Sequence, residues 1–113
     1  MEHALVGCWD IAEMELWDSE TLNLEESASI KVGSDGTGLL RFIAVAGTVD
    51  CRFKRGGGVQ AVEFSWEGHD DGRPVSGRGE ASLLGSGELK GRIYFHLGDD
   101  SSFVARRSEI GEV

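Results

Sequence analysis

Proline is almost absent from this chain: Pro74 is the only one, against 17 glycines in 113 residues. Long apolar runs are absent as well, and no stretch has the length needed to span a bilayer. Glycine supplies positive φ angles in tight turns and weakens a helix interior by about 1 kcal/mol. Glycines at such short intervals favour short strands joined by tight turns and work against long helices.

Basic residues are also scarce, with 11 against 20 acidic residues and a formal net charge of −9. Binding to nucleic acid requires a basic stripe that displaces condensed counterions. The longest basic runs, residues 52–55 and 106–107, are too short for this role. We therefore expect neither nucleic acid nor a membrane surface as a partner. An acidic chain of this size suits a basic protein partner, although acidity also serves solubility alone.

Cysteine occurs only twice, as Cys8 and Cys51, each within an apolar-patterned strand. The first eight residues show neither a basic leader nor an apolar signal segment. We therefore expect a cytoplasmic protein in which both thiols are reduced, buried against the core and unreactive.

Clusters with a recognisable catalytic or metal-binding pattern are lacking. The three histidines, His3, His69 and His96, lie on separate elements without metal-ligand spacing. The glycine-rich stretches do not link a strand to a helix, as a dinucleotide or phosphate loop would. The sequence predicts no metal, no cofactor and no catalytic residue.

What the sequence does contain is alternation of apolar and polar residues with period two, interrupted by glycine-containing turns. This pattern predicts an all-β protein: an antiparallel meander of about eight strands that closes into a small up-and-down barrel. At most one short helix is expected, near residues 18–26, and a bulge near Ala12. We expect one domain over residues 1–113, with 108–113 as a flexible acidic tail. The predicted strands are 4–16, 28–32, 39–46, 49–54, 62–67, 77–83, 89–97 and 102–107.

Gly7-Cys8-Trp9, at the start of the first strand, resembles the Gly-x-Trp opening of lipocalins and related calycin barrels. That resemblance implies a lipocalin-like barrel in which Trp9 packs across the closed end and the open end binds a small apolar ligand. More broadly, the chain resembles small bacterial barrel proteins that have no assigned function. The apolar strands also allow a filled interior, since aromatic side chains have many inward positions.

The richest polar cluster surrounds a predicted loop at residues 68–74. Its members are candidates for binding a ligand, and their carboxylates and histidine also suit acid–base chemistry. The alternative is an ordinary solvated turn with a cross-strand ion pair between Glu67 and Arg78. The candidate ligand-binding residues are Trp66, Glu67, His69, Arg78 and Glu80.

These features favour a non-catalytic binding barrel for a small apolar ligand or a protein partner. Two alternatives stay open: a small enzyme that uses the His69 loop, and an acidic inhibitor or immunity-type protein that binds a basic protein. A homodimer is a further expectation, because Leu39, Ile43 and Val45 would form an apolar patch if they face outward opposite Phe42.

Overall fold

The structure is a computed structural model that describes residues 4–54 and 60–108. Each strand follows from the alternation of apolar and polar residues, and the turns follow glycine or short polar segments at most hairpins. The elements, in chain order, are β1 (Gly7–Met14), α1 (Ser19–Leu22), β2 (Ser29–Val32), β3 (Thr37–Phe42), β4 (Val45–Lys54), β5 (Ala61–Asp70), β6 (Arg73–Leu83), β7 (Leu89–Phe95) and β8 (Asp100–Arg107).

The eight strands form a closed antiparallel barrel in meander order. Each strand pairs with the next one along the chain, and β8 returns to pair with β1. Closure leaves no sheet edge unpaired along most of the barrel. The predicted all-β fold, meander and barrel closure are confirmed. The glycine turn at residues 56–58 and the acidic tail from residue 109 onward lie outside the described residues.

Because successive strands are antiparallel, their connections lie alternately at the two ends of the barrel. One end, here called the Trp9 end, contains the start of β1, the turns at 33–36 and 84–88, and the end of β8. The opposite end, here called the helix end, contains α1 and the turns at 43–44, 71–72 and 96–99.

Inward-facing aromatic rings fill the barrel interior by packing over glycines on the neighbouring strand. Phe64 pairs with Gly79 across β5 and β6, and Phe103 pairs with Gly91 across β7 and β8. A Cβ at Gly79 would collide with the Phe64 ring, and one at Gly91 would lie 2.9 Å from Phe103 Cε2. This pairing of small with large residues is how a narrow barrel accommodates its own side chains. Other fully buried residues include Trp9, Ile30, Leu40, Phe42, Leu89 and Ile93.

Trp9 seals its end of the barrel with the help of the preceding segment. The Trp9 Nε1–H donates to the carbonyl oxygen of Leu5 over 3.0 Å, and both side chains are fully buried. The guanidinium of Arg107 lies over the Trp9 ring and donates to the carbonyl oxygens of Ala4 and Val6. Residues 4–6 are thereby held across this end of the barrel.

The predicted helix and bulge are both present. Asp18 is the N-cap of α1, and its side chain accepts a hydrogen bond from the Thr21 amide over 2.9 Å. The pairing of β1 with β8 shifts register between Ile11 and Glu13, so Ala12 is the extra residue of a bulge.

One hairpin differs from the sequence prediction. The predicted strand 39–46 is two strands, because the chain turns at Ile43 and Ala44. Ile43 adopts a φ of 57°, which is rare for a β-branched residue. Its residue type therefore does not predict a turn at this position. The predicted gap between the strands 39–46 and 49–54 is also absent: Gly47 lies within β4 and pairs with both neighbouring strands.

That hairpin also removes the predicted apolar dimer patch. Phe42 and Val45 are direct partners across the turn, and both are buried in the core. Ile43 is partly buried against the core, so Leu39 is the only one of the three predicted patch residues that is exposed.

Two other side chains face the opposite way from the prediction. Cys8 lies between the inward-facing positions of β1 and is half-buried on the outer face, whereas Cys51 is buried. Leu97, which the apolar alternation of the predicted strand 89–97 would place on the same inner face as Ile93 and Phe95, is in the turn after β7 and is 94% exposed.

Candidate functional site

A depression of about 1280 Å³ lies on the outer surface of the barrel and spans β2 to β7. Its side chains come from two adjacent rows of outward-facing residues that run across the strands. We call this depression the outer groove. The first row, in strand order from β2 to β6, is Lys31, Leu39, Thr48, Glu67 and Ser76. The second row, from β3 to β7, is Thr37, Asp50, Ser65, Arg78 and Tyr94.

Glycines at two lining positions allow the strands of the outer groove to approach closely. A Cβ at Gly38 would collide with the carbonyl oxygen of Lys31 on β2. A Cβ at Gly77 would collide with the carbonyl oxygen of Tyr94 on β7. The local shape of the sheet therefore depends on the absence of a side chain at both positions.

Tyr94 organises one end of the outer groove. The guanidinium carbon of Arg78, its cross-strand partner, lies 4.8 Å from the centroid of the Tyr94 ring. The Tyr94 hydroxyl donates to a carboxylate oxygen of Glu80 over 3.2 Å. Desolvation, followed by this hydrogen bond to Glu80, raises the pKa of Tyr94 above its ordinary value of 10.0. The tyrosine is therefore neutral at physiological pH, with its ring held in a fixed position.

Two cations of the outer groove are not engaged by carboxylates. Within residues 4–54 and 60–108, neither Lys31 nor Arg78 forms a salt bridge. Asp50, which also lines the groove, is bound by Arg52 over 2.7 Å. Most other basic side chains of the described chain are paired, as Arg41 with Glu26, Arg52 with Asp50, Lys54 with Glu63, Arg92 with Asp100, and Arg106 with Glu88.

Two exposed leucines contribute apolar surface to the outer groove. Leu39 is 55% exposed in the first row, next to Lys31. Leu97 lies beyond the opposite end, near Tyr94 and His96, and adopts a φ of 57° that leucine seldom adopts. His96 is positioned beside Ser76, because its amide donates to the Ser76 carbonyl oxygen over 2.8 Å. The groove thus has apolar and cationic groups near both of its ends.

The structure divides the predicted binding residues between the two faces of the sheet. Glu67 and Arg78 both line the outer groove, but the register places Glu67 opposite Ser76 and Arg78 opposite Ser65. The predicted ion pair between Glu67 and Arg78 is therefore not formed, and Arg78 packs on Tyr94 instead.

Trp66, in contrast, faces the barrel interior and is only 3% exposed. Its ring packs edge-on against Phe95, with the ring centroids 5.2 Å apart. The indole N–H has no hydrogen-bond partner in the described part of the chain, a loss of about 1–3 kcal/mol for a buried donor. Trp66 supports the groove from beneath through the packing of its ring.

The predicted loop at residues 68–74 is mostly strand. The hairpin turns at Asp71 and Gly72, whose positive φ angles of 52° and 85° match the twist of a two-residue turn. His69 pairs with Pro74, whereas Glu80 pairs with Glu63. Glu80 lies six positions along β6 from Pro74, which corresponds to about 20 Å of extended chain. His69 and Glu80 are thus too far apart to act on one substrate atom.

Sequence reasoning missed Lys31, Leu39 and Tyr94. The alternation on their strands already indicates that all three point outward. Their convergence depends on strand pairing that passes through β4 and β5, and this pairing is not visible in any single strand. The polar cluster at residues 66–80 lies on β5 and β6, so it covers only part of the outer groove.

The fold defines the class of this protein: a small closed antiparallel β-barrel with a groove on its outer surface. Comparisons with protein-family models, curated proteins and solved structures give no match, so the lipocalin resemblance rests on the barrel and on Gly7 and Trp9. The described residues contain no helix with the length and apolarity to cross a membrane. They also contain no group of three metal-ligating side chains close enough to hold an ion.

Proposed function

We propose that this chain is a non-catalytic binding protein that holds an extended segment of a protein partner in the outer groove. The observation that carries the proposal is the groove itself, an open depression that exposes Leu39 and Leu97 together with charged side chains. Surfaces that bind protein segments combine apolar contacts with a polar rim, and the outer groove presents both kinds of group in one depression.

The size of the outer groove favours a protein segment over a small molecule. Small-molecule pockets usually enclose about 300–1000 Å³ and bury most of the ligand. The outer groove exceeds that range at about 1280 Å³ and is open to solvent along its length. Six strands at about 4.8 Å spacing give it a span of about 24 Å, which is the length of about seven extended residues.

The barrel interior offers less support for the small apolar ligand expected from the sequence. Trp9, Phe42 and Phe103 are fully buried there, and Phe64 packs onto Gly79. An internal ligand would have to displace side chains that already make close contacts.

A selection with phage-displayed random dodecapeptides tests the proposal. Peptides enriched on the wild-type protein should bind the Leu39→Ser variant at least about fivefold more weakly, because a partly buried leucine contact is lost. Leu84→Ser is the matched control, since Leu84 is an exposed leucine in the 84–88 turn, outside the groove. Equal binding of the enriched peptides to both variants, or the absence of any enriched peptide, would overturn the proposal.

A further inference from the structure

We infer that the segment held in the outer groove is acidic, with two carboxylates five or six positions apart that contact Lys31 and Arg78. This inference rests on the proposed function, since it specifies the chemistry of the same site. The net charge of −9 alone favours a basic partner, so the inference depends on the local arrangement of charges within the groove.

Two cations of the outer groove are left without a carboxylate partner among the described residues. The chain has almost twice as many acidic as basic residues, and five of the ten basic side chains within residues 4–54 and 60–108 form a salt bridge. Lys31 and Arg78 nevertheless form no salt bridge with any carboxylate of the described chain, and both are exposed within the groove. Asp50, the acid nearest to the middle of the second row, is bound by Arg52.

The orientation of the Arg78 guanidinium is fixed by its neighbours. Arg78 is held against the face of the Tyr94 ring, and Tyr94 is in turn held by its hydrogen bond to Glu80. A guanidinium fixed in this way loses little side-chain entropy when it binds, and its planar donors match the two oxygens of a carboxylate. Arg78 therefore has the geometry of a prepared carboxylate-binding group.

The spacing of the two cations gives the spacing of the carboxylates. Lys31 lies on β2 in the first row and Arg78 on β6 in the second row. Four strand intervals and two positions along the strand therefore separate them, or about 20 Å along the sheet. An extended chain advances about 3.3 Å per residue, so this distance corresponds to five or six residues. Leu39 beside Lys31, and Leu97 with Tyr94 beyond Arg78, provide apolar contacts next to each charge.

Long-range repulsion does not outweigh these local contacts at physiological salt. The Debye length is about 8 Å at 0.15 M, so most of the protein's carboxylates are screened from a ligand in the groove. Glu67 is the one acidic lining residue without a salt bridge among the described residues, against two such cations.

Four pools of synthetic dodecapeptides, random except at two fixed positions, test the inference on immobilised protein. The first pool carries glutamate at the third and ninth positions of the peptide. The second pool carries glutamine at those two positions, the third carries lysine there, and the fourth carries glutamate at the third and fifth positions instead. Wild-type protein should retain the first pool about two- to fivefold better than the others, as exposed ion pairs allow.

Variants of the protein show whether this preference arises in the groove. Arg78→Ala and Lys31→Ala should each weaken the preference for the first pool over the glutamine pool, because each removes one of the two ion pairs. Lys90→Ala should leave it intact, because Lys90 is an exposed lysine outside the groove that forms no salt bridge among the described residues. Circular dichroism spectra that match the wild type confirm that each variant is folded.

The remaining outcomes separate this inference from the proposed function. If the wild-type protein retains all four pools equally and Leu39→Ser weakens that retention, the inference is overturned and the proposed function stands. A preference of the wild-type protein for the lysine pool would lead to the same conclusion. Retention that Leu39→Ser does not change would overturn both.

Discussion

The guanidinium carbon of Arg107 lies 4.1 Å from the centroid of the Trp9 ring, at the junction of the first and last strands. The same guanidinium donates to the carbonyl oxygens of Val6 over 2.7 Å and Ala4 over 2.8 Å. One side chain from β8 therefore fixes the residues that precede β1 over the buried tryptophan. Gly7 is required beside it, because its φ is 133° and a Cβ there would contact the Arg107 guanidinium.

Replacing Arg107 by alanine should lower the free energy of unfolding by about 1–2 kcal/mol, since a cation–π contact and two charge-assisted hydrogen bonds are lost at an exposed site. Urea denaturation monitored by tryptophan fluorescence measures the change. Arg106→Ala is the control: its exposed salt bridge to Glu88 should contribute less than about 1 kcal/mol. Equal destabilisation by the two variants would contradict the role given to Arg107.

Substituting alanine for Gly79 should destabilise the barrel by about 1–3 kcal/mol, because the new methyl group would overlap the Phe64 ring. Gly85→Ala is the matched control, since no heavy atom lies within 4 Å of the added Cβ. Its effect should stay within about 0.5 kcal/mol. Thermal unfolding of the two variants compares them directly, and a Gly79→Ala protein as stable as the Gly85→Ala protein would show that the core is not closely packed at this position.

The N-cap of α1 should titrate below the ordinary value of 3.8 for an aspartate. The Thr21 amide and side chain donate to the Asp18 carboxylate, and these hydrogen bonds lower its pKa. A lowered folded-state pKa stabilises the fold above the ordinary pKa, and this contribution is lost as the pH falls through the folded value. Carbon-detected NMR titration of Asp18 should give a midpoint below that of the urea-unfolded chain. Identical midpoints in the folded and the urea-unfolded chain would show that the Asp18 carboxylate does not accept these hydrogen bonds.

The two thiols should differ in reactivity. Burial, with a smaller contribution from Asp50, raises the pKa of Cys51 to about 11, so this thiol is protonated at pH 8. Cys8 is half-buried on the outer face of β1. Iodoacetamide at pH 8, followed by peptide mass spectrometry, should label Cys8 first and Cys51 only after denaturation. Labelling of both at the same rate would contradict the inward orientation of Cys51.

Much of the barrel is predictable from alternation alone, because one face of each strand must bury its side chains. The inward set Val62, Phe64 and Trp66 and the bulge at Ala12 both follow from the sequence pattern. The turn at Ile43 does not, since it is enforced by the pairing of Phe42 with Val45 in the core and not by a turn-forming residue.

The outer groove was only partly predictable. Glu67 and Arg78 were visible as polar residues of neighbouring strands, but the groove also depends on residues from β2, β3 and β7. Its shape further depends on Gly38 and Gly77, whose close approach to neighbouring strands is a property of the assembled sheet. Neither the convergence of these strands nor the close approach at the two glycines can be predicted from the sequence of a single strand.

The central claim, that a partner segment binds outside the barrel, is tested most directly by NMR. Two-dimensional amide spectra of the isotope-labelled protein would be recorded while a dodecapeptide with glutamates at its third and ninth positions is added. The largest shift changes should occur at groove residues, with little change at the buried Ile93 and Phe103; the groove residues are Leu39, Thr48, Ser65, Ser76 and Tyr94. Changes concentrated at the Trp9 end or at the interior positions would contradict the central claim.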